Sequence, residues 1–289
     1  MPTNPGHELG ECIGAFLEGA VKPRLAKVAR AHGLYLDSKG RRAARAGASV
    51  VWHDAFGNVH DLDFVMEADG SDHTVGRPVA FIETAWRRYT KHSRNKAQEM
   101  QGALLPIAER FSDTRPFLGV IAAGNWTGNA LAQLRSVGFC VVHIPAATLE
   151  ASLLAVAVDV SSDEGTPRAA LETKVAAFKA LDLPSRARAS RRLLALCKSD
   201  IDAFVSTLER ALSRRVERVT VIPVFGTAHE FPSVSEAVAF VETYAPVATA
   251  SALVRYEITV RFVNGDRVEG AFADRTEAVG FLRRIYPPQ

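Results

Sequence analysis

The chain has 289 residues, 47% of them apolar and 23% charged, with a formal net charge of +3. That length buries a sizeable core, that balance excludes wholesale disorder, and a total charge so near neutral leaves any argument about partners to local clustering. There is no run of 18 apolar residues and no basic-then-apolar leader, and Cys12, Cys140 and Cys197 lie far apart among apolar neighbours, so the expectation is a cytoplasmic protein with reduced thiols, no membrane partner and no zinc site.

Over residues 8–32, Leu9, Ile13, Phe16, Leu17, Val21, Leu25 and Val28 recur at helical spacing, with Gly33 as the stop and Pro23 as a point where the helix kinks or divides. The stretch SKGRRAARAG (38–47) concentrates Lys39, Arg41, Arg42 and Arg45 and reads either as a solvated loop or as a phosphate-contacting arm. Residues 50–53 read as a strand, and Phe56, Gly57 and Asn58 form a turn into a second strand that carries Asp61 and Asp63. Period-two alternation puts Leu62, Phe64 and Met66 on a core face and Asp61, Asp63, Val65 and Glu67 on an acidic one. Val79, Ala80, Phe81 and Ile82 then form a short apolar run of the kind buried on both faces, ending in Glu83. A carboxylate at the end of a buried strand is costly unless it is paired or meets a cation, so acids on two neighbouring strands point to a metal site. Asp61 also reads as a turn cap, and Glu83 also reads as an ion-pair partner of Arg87 or Arg88.

The segment RRYTKHSRNK (87–96) packs five lysines and arginines into ten positions and opens a helix that runs to about residue 111. Arg87, Arg88, Lys91, His92 and Arg94 are its candidates for nucleic-acid contact, with Arg41 and Arg42 upstream. Trp86 and Tyr89 read either as part of such a groove or as helix core. A strand at 117–122, a helix at 128–136 and a strand at 139–144 closed by Pro145 form a parallel crossover, which makes this half α/β. Between them, residues 124–128 form either a ligand-contacting loop or a tight turn with Trp126 over the sheet edge. Residues 148–158 read as a helix, 161–167 as a polar break, and 169–215 as helical with a break at Pro184 and arginines in two groups. Finally, 219–244 and 258–286 align with each other as strand, turn, strand, helix: Ser235, Glu236, Ala237 and Val238 answer Thr276, Glu277, Ala278 and Val279, and both copies run through Phe240 or Phe281 to Tyr244 or Tyr286. Asn264-Gly265 is a hairpin signal, and Ser235 and Thr276 are the expected helix caps. The chain divides on this reading into 1–160, a helical 161–218 and a duplicated β-β-α module at 219–289.

The order of elements over roughly residues 8–145, with Asp63 and Glu83 on adjacent strands before a long helix, resembles the PD-(D/E)XK superfamily of restriction-endonuclease-like nucleases. The resemblance implies a mixed sheet flanked by helices, Mg²⁺ (with Mn²⁺ as a substitute) held by the acid pair, DNA as the partner, a homodimer, and a setting in restriction or another defence against foreign DNA. Leu62 stands where the motif has proline, and Ala85, which shares a strand face with Glu83, stands where it has lysine. The resemblance then looks to a lysine from a neighbouring element: Lys96 first and Lys91 second, with Gln98 matching a polar residue on the same helix. Asp61 is a further candidate metal ligand, and Glu11 and Glu18 match the position of an additional acid in the leading helix. Two other readings compete: a nucleic-acid-binding protein that has kept the fold without catalysis, and an α/β enzyme binding a small phosphate-bearing ligand at 124–128.

Overall fold

The computed structural model describes residues 4–223, 227–245 and 255–285. Asn4 caps the first helix, α1 (Pro5–Ala31), by accepting from the Gly6 amide at 2.9 Å, and Gly33 ends it at φ +66°. Pro23 lies inside this single helix without dividing it. A five-stranded sheet follows from β1 (Tyr35–Ser38), β4 (Phe64–Ala68), β5 (Arg77–Arg87), β6 (Phe117–Gly124) and β7 (Cys140–Pro145), in that spatial order. β1, β4 and β5 pair antiparallel, whereas β5, β6 and β7 run parallel. Strands β2 (Val50–His53) and β3 (Val59–Leu62) make a separate hairpin, its turn tied by Asp54 accepting from the Phe56 and Asn58 amides.

Helices cover both faces of the sheet. Residues of α1, α4 (Ala146–Leu154), α5 (Arg168–Lys179), α6 (Leu183–Leu196) and α7 (Lys198–Leu212) share one apolar cluster with Phe64, Ile82 and Ile121. Residues of α2 (Ser93–Arg110), α3 (Gly128–Ser136) and the β2–β3 hairpin share the other with Val65, Phe81 and Val120. Covering on both sides is what the unbroken apolar runs of β5 and β6 require. It also corrects the expectation of an acidic face on the strand after residue 60: all five residues of β4 are buried, Glu67 included. That strand is moreover two strands, since β3 ends at Leu62, β4 begins at Phe64, and Asp63 sits at the bend between them. The helical stretch after residue 168 is broken at 180–182 and again at Cys197, and Pro184 occupies the first turn of α6, which Asp182 caps. Among the described residues no helix is long and apolar enough to cross a membrane.

The C-terminal repeat folds as two strand-strand-helix units: β8 (Val216–Pro223), β9 (His229–Phe231) and α8 (Val234–Thr243), then β10 (Tyr256–Phe262), β11 (Arg267–Phe272) and α9 (Arg275–Arg283). The sheet order β11-β10-β8-β9 places the two first strands side by side, and the module has its own apolar cluster, with Ala237 and Ala278 buried at matching positions. The helix caps are Ser233 and Asp274 rather than Ser235 and Thr276, two residues earlier in both copies. Gly265, at φ +88°, makes the expected hairpin turn, and the second copy's Tyr286 lies outside the described residues.

Candidate functional site

Asp63 and Glu83 meet. The Asp63 amide donates to Glu83 Oε1 at 3.1 Å, and Asp63 Oδ2 accepts from both the Thr84 amide (2.7 Å) and the Thr84 hydroxyl (2.8 Å). The bend at Asp63 makes this closure possible, because it frees an amide that a continuous strand would spend on its neighbour. Neither acid has an ion-pair partner among the described residues. Both keep a small accessible face, yet burial is the leading cause that raises them: Glu83 is pushed up to about 8, with the Asp63 charge as the second cause, and Asp63 is raised although Thr84 and Lys96 pull it down. Glu18 on α1 is raised too, by burial first and then by the charges of Asp63 and Asp61. The charges of Asp63 and Asp61 thus act on both Glu18 and Glu83, and Lys96 is the cation that acts on the central pair.

Lys96 reaches this place because of what stands at position 85. Ala85 packs with Ala97 and Met100 in the α2-side cluster, so a methyl group fills the position where the resemblance expects lysine and the first turns of α2 lie against the strand end. The buried Ser93 hydroxyl fixes the start of α2 by donating to the Thr90 carbonyl at 2.7 Å and lying 3.2 Å from the Thr127 hydroxyl, itself the cap of α3. Lys96 Nζ also pairs with Glu99 at 2.5 Å. Beside the acids opens a cleft of about 540 Å³ between α1 and the end of β5, lined among others by Gly10, Trp86, Arg87, Arg88, His92 and Lys96. The Trp86 Nε1–H in its wall is buried without a hydrogen-bond partner among the described residues.

The remaining candidates divide. Lys91 is paired with Glu164, and the cation among the charges that shift the acids is Lys96. Gln98 is exposed on another side of α2, because two residues along a helix turn about 200°. Glu11 lines the cleft but pairs with His7 at 3.2 Å, so the acid of α1 that faces the pair is Glu18. Asp61 is exposed on β3, close enough to raise both members of the pair. Arg87 is half-buried and donates to the Trp86 carbonyl, and Arg88 reaches the Gly6 carbonyl at 3.0 Å and lies 5.6 Å from the Tyr89 ring. His92, Arg94 and Arg41 are exposed.

Arg42 is a correction. It is buried, with its N–H groups spent on Asp37 (2.8 Å), Glu67 (2.7 and 2.8 Å) and the Ser71 and Thr74 carbonyls, so it holds two loops together and has nothing left for a phosphate. In the loop after β6 the Asn125 amide extends the pairing with β5 by donating to the Arg87 carbonyl at 2.7 Å, and buried Trp126 folds back to donate to the Ala123 carbonyl at 3.0 Å. Thr84 is the site residue that sequence reasoning missed, and it belongs to no pattern that would have marked it; Glu99, three residues after Lys96 on the same helix, is its ion-pair partner.

No protein-family model matches the chain, and no curated protein sequence matches it. A crystal structure of a protein of unknown function, AF1548, aligns over 65% of this chain and 98% of its own at 14% identity, with a TM-score of 0.30. A likeness at that level carries no argument about fold or activity.

Proposed function

We propose that the chain is a divalent-cation-dependent nuclease that hydrolyses phosphodiester bonds in DNA, on a core of the restriction-endonuclease-like kind. The observation that carries this reading is the pair of Asp63 and Glu83, joined through one hydrogen bond, both raised first by burial, with the Asp63 charge raising Glu83 further, and without an ion-pair partner among the described residues. Two carboxylates so placed are unfavourable alone and favourable around a cation. Oxygen donors suit Mg²⁺, or Mn²⁺ in its place, and Mg²⁺ is commonly held by one or two carboxylates with water completing its shell. Among the described residues no group of three or more acids, histidines or cysteines is placed to hold a metal ion; Asp63 and Glu83 are assigned as the holders on the hydrogen bond between them and their shared burial, with Asp61 and Glu18 at the margin. When bound, the cation supplies Lewis acidity at the phosphate and a more acidic water.

The chain's own residues supply the rest. Thr84 orients Asp63 through two donated hydrogen bonds. Lys96 places a positive charge where negative charge grows on the phosphate. Arg87, Arg88 and His92 line the adjoining cleft and give a polyanion a place to lie. Cutting both strands of a duplex with one such site calls for two copies, so the proposed working form is a homodimer, in restriction or a related defence. A second reading, nucleic-acid binding without hydrolysis, draws on Ala85 and on the pairing of Lys96 with Glu99.

Incubation with supercoiled plasmid in Mg²⁺ or Mn²⁺ separates the two. Asp63→Ala and Glu83→Ala should each abolish cutting while a gel shift shows DNA still bound. Lys96→Ala should slow cutting by ~100-fold, and Lys91→Ala should change it little. Wild-type binding without cutting in either metal leaves the second reading; cutting retained by both acid variants removes the assignment.

A further inference from the structure

A second open cleft, about 440 Å³, lies where the core meets the C-terminal module and shares no lining residue with the cleft beside the acids. The starts of β6 and β7, the last turns of α7 and the β10–β11 hairpin form its walls. Among the described residues, four guanidinium groups line it, those of Arg115, Arg135, Arg210 and Arg214, against a single carboxylate, Asp266. That carboxylate is shared, at 3.6 Å from Arg115 and 3.4 Å from Arg214. Arg214 is buried, 4.4 Å over the Phe262 ring, and also donates to the Thr114 and Arg115 carbonyls.

Arg135 and Arg210 have no carboxylate partner among the described residues. Neutral groups brace them instead: Arg135 donates to the Val141 carbonyl at 3.4 Å and Arg210 to the Thr207 hydroxyl at 2.9 Å. Both converge on Cys140, a thiol that burial raises and that Thr207, Arg210 and Arg135 pull back down. Arg115 holds φ +42°, a left-handed backbone that is costly for any residue but glycine, while its side chain reaches the Arg267 carbonyl at 2.5 Å. Arg135 and Arg210 thus bring two guanidinium charges into one cleft with no carboxylate of their own among the described residues, an arrangement that an anion relieves, and guanidinium forks match the oxygens of phosphate.

We propose that this cleft is a phosphate-binding site, with Arg135 and Arg210 as the fork that takes the phosphate oxygens and Arg115 as a third donor. The phosphate belongs either to a small free monoester or to a nucleic-acid backbone; the cleft has the size of a small-molecule pocket and is open enough to admit a strand. Metal and the acid pair take no part in it.

Cys140 reports on the site. Peptide-resolved alkylation of the full-length protein, at fixed pH and ionic strength, should show labelling of Cys140 slowed several-fold by inorganic phosphate or adenosine monophosphate, with labelling of Cys12 unchanged. Slowing by duplex oligonucleotide alone assigns the phosphate to a nucleic-acid backbone, and slowing by the small anions assigns it to a free monoester. The exposed pair Arg135→Ala/Arg210→Ala should remove the protection, read as the ratio of rates with and without anion because the substitution also alters the thiol itself. Asp63→Ala should keep it, so loss of the nuclease reading leaves this one standing. Equal slowing by chloride, no slowing by any of the three probes, or protection that survives the arginine substitutions would overturn the proposal.

Discussion

Two carboxylates, Glu67 fully buried and Glu83 largely so, show how a single partner decides what an acid does. Glu67 has a guanidinium fork from Arg42 and a backbone amide from Gly76 at 2.7 Å. Glu83 has one amide and a neighbouring negative charge, and is pushed up to about 8. The sign of the consequence follows from proton counts: between an unfolded value near 4.5 and about 8, the folded chain holds a proton at Glu83 that the unfolded chain has released. Stability without metal should therefore be greatest below pH 4.5 as far as this group is concerned, and fall as pH rises to about 8, by at most ~1.4 kcal/mol per pH unit. Denaturant melts across that window should show the slope, Glu83→Gln should flatten it, and Mg²⁺ should oppose it at the alkaline end. Arg42 gives the reverse case. Arg42→Ala leaves Asp37 and Glu67 buried without their cation and should cost ~3–5 kcal/mol, whereas exposed Arg41→Ala should stay within about 0.5 kcal/mol in the same melts. A substitution series that lowered DNA binding through Arg42 without unfolding the chain would contradict the buried pairing.

At the scale of elements, what could be read in advance was whatever local chemistry decides. The strand at 50–53 and the helix at 128–136 fall where turn residues and apolar spacing put them. β1 went unread because four residues, YLDS, carry no period of their own and become a strand only by pairing with β4. The break at Asp63 went unread for a similar reason, since alternation continues across it and only the closure onto Glu83 and Thr84 bends the chain. Glu11 and Glu18, seven residues apart, share a helix face but stand about 10 Å apart along the axis, and no sequence pattern says which turn lies level with the acids. The duplicated module adds a test. Ser233 and Asp274 each accept from the amide three residues on, at 3.3 and 2.9 Å. Ser233→Ala and Asp274→Ala should therefore each cost ~1 kcal/mol, and Ser235→Ala and Thr276→Ala, inside the first turn, only a few tenths, measured as shifts in denaturation midpoint. Equal costs at all four positions would mean the caps lie elsewhere.

Across the whole molecule, helices α5, α6 and α7 belong to the same core as the five-stranded sheet. Phe204 of α7 is buried, its ring 5.6 Å from Phe117 of β6 in edge-to-face contact, and Phe178 of α5 meets Phe16 of α1 at 6.2 Å. Gly119 shows how close α7 comes: a Cβ there would stand 2.7 Å from the Phe204 ring and 2.8 Å from the Phe117 ring. The sequence marked this stretch as a run of helices with arginines in two groups, because its spacing does not say which of its many apolar side chains dock on the sheet. Burial decides the weighting, since an aromatic ring removed from water against a strand stabilises more than any exposed charge on the same helix. Phe204→Ala should cost ~3–5 kcal/mol through the cavity it opens, and Gly119→Ala should destabilise by ~1–3 kcal/mol through the opposite fault, a methyl group with nowhere to go. The pair Phe204→Ala/Gly119→Ala should cost less than the two costs added, because the cavity of the first admits much of the methyl of the second. Additive losses in a denaturation cycle would show that α7 does not press on β6 at this point.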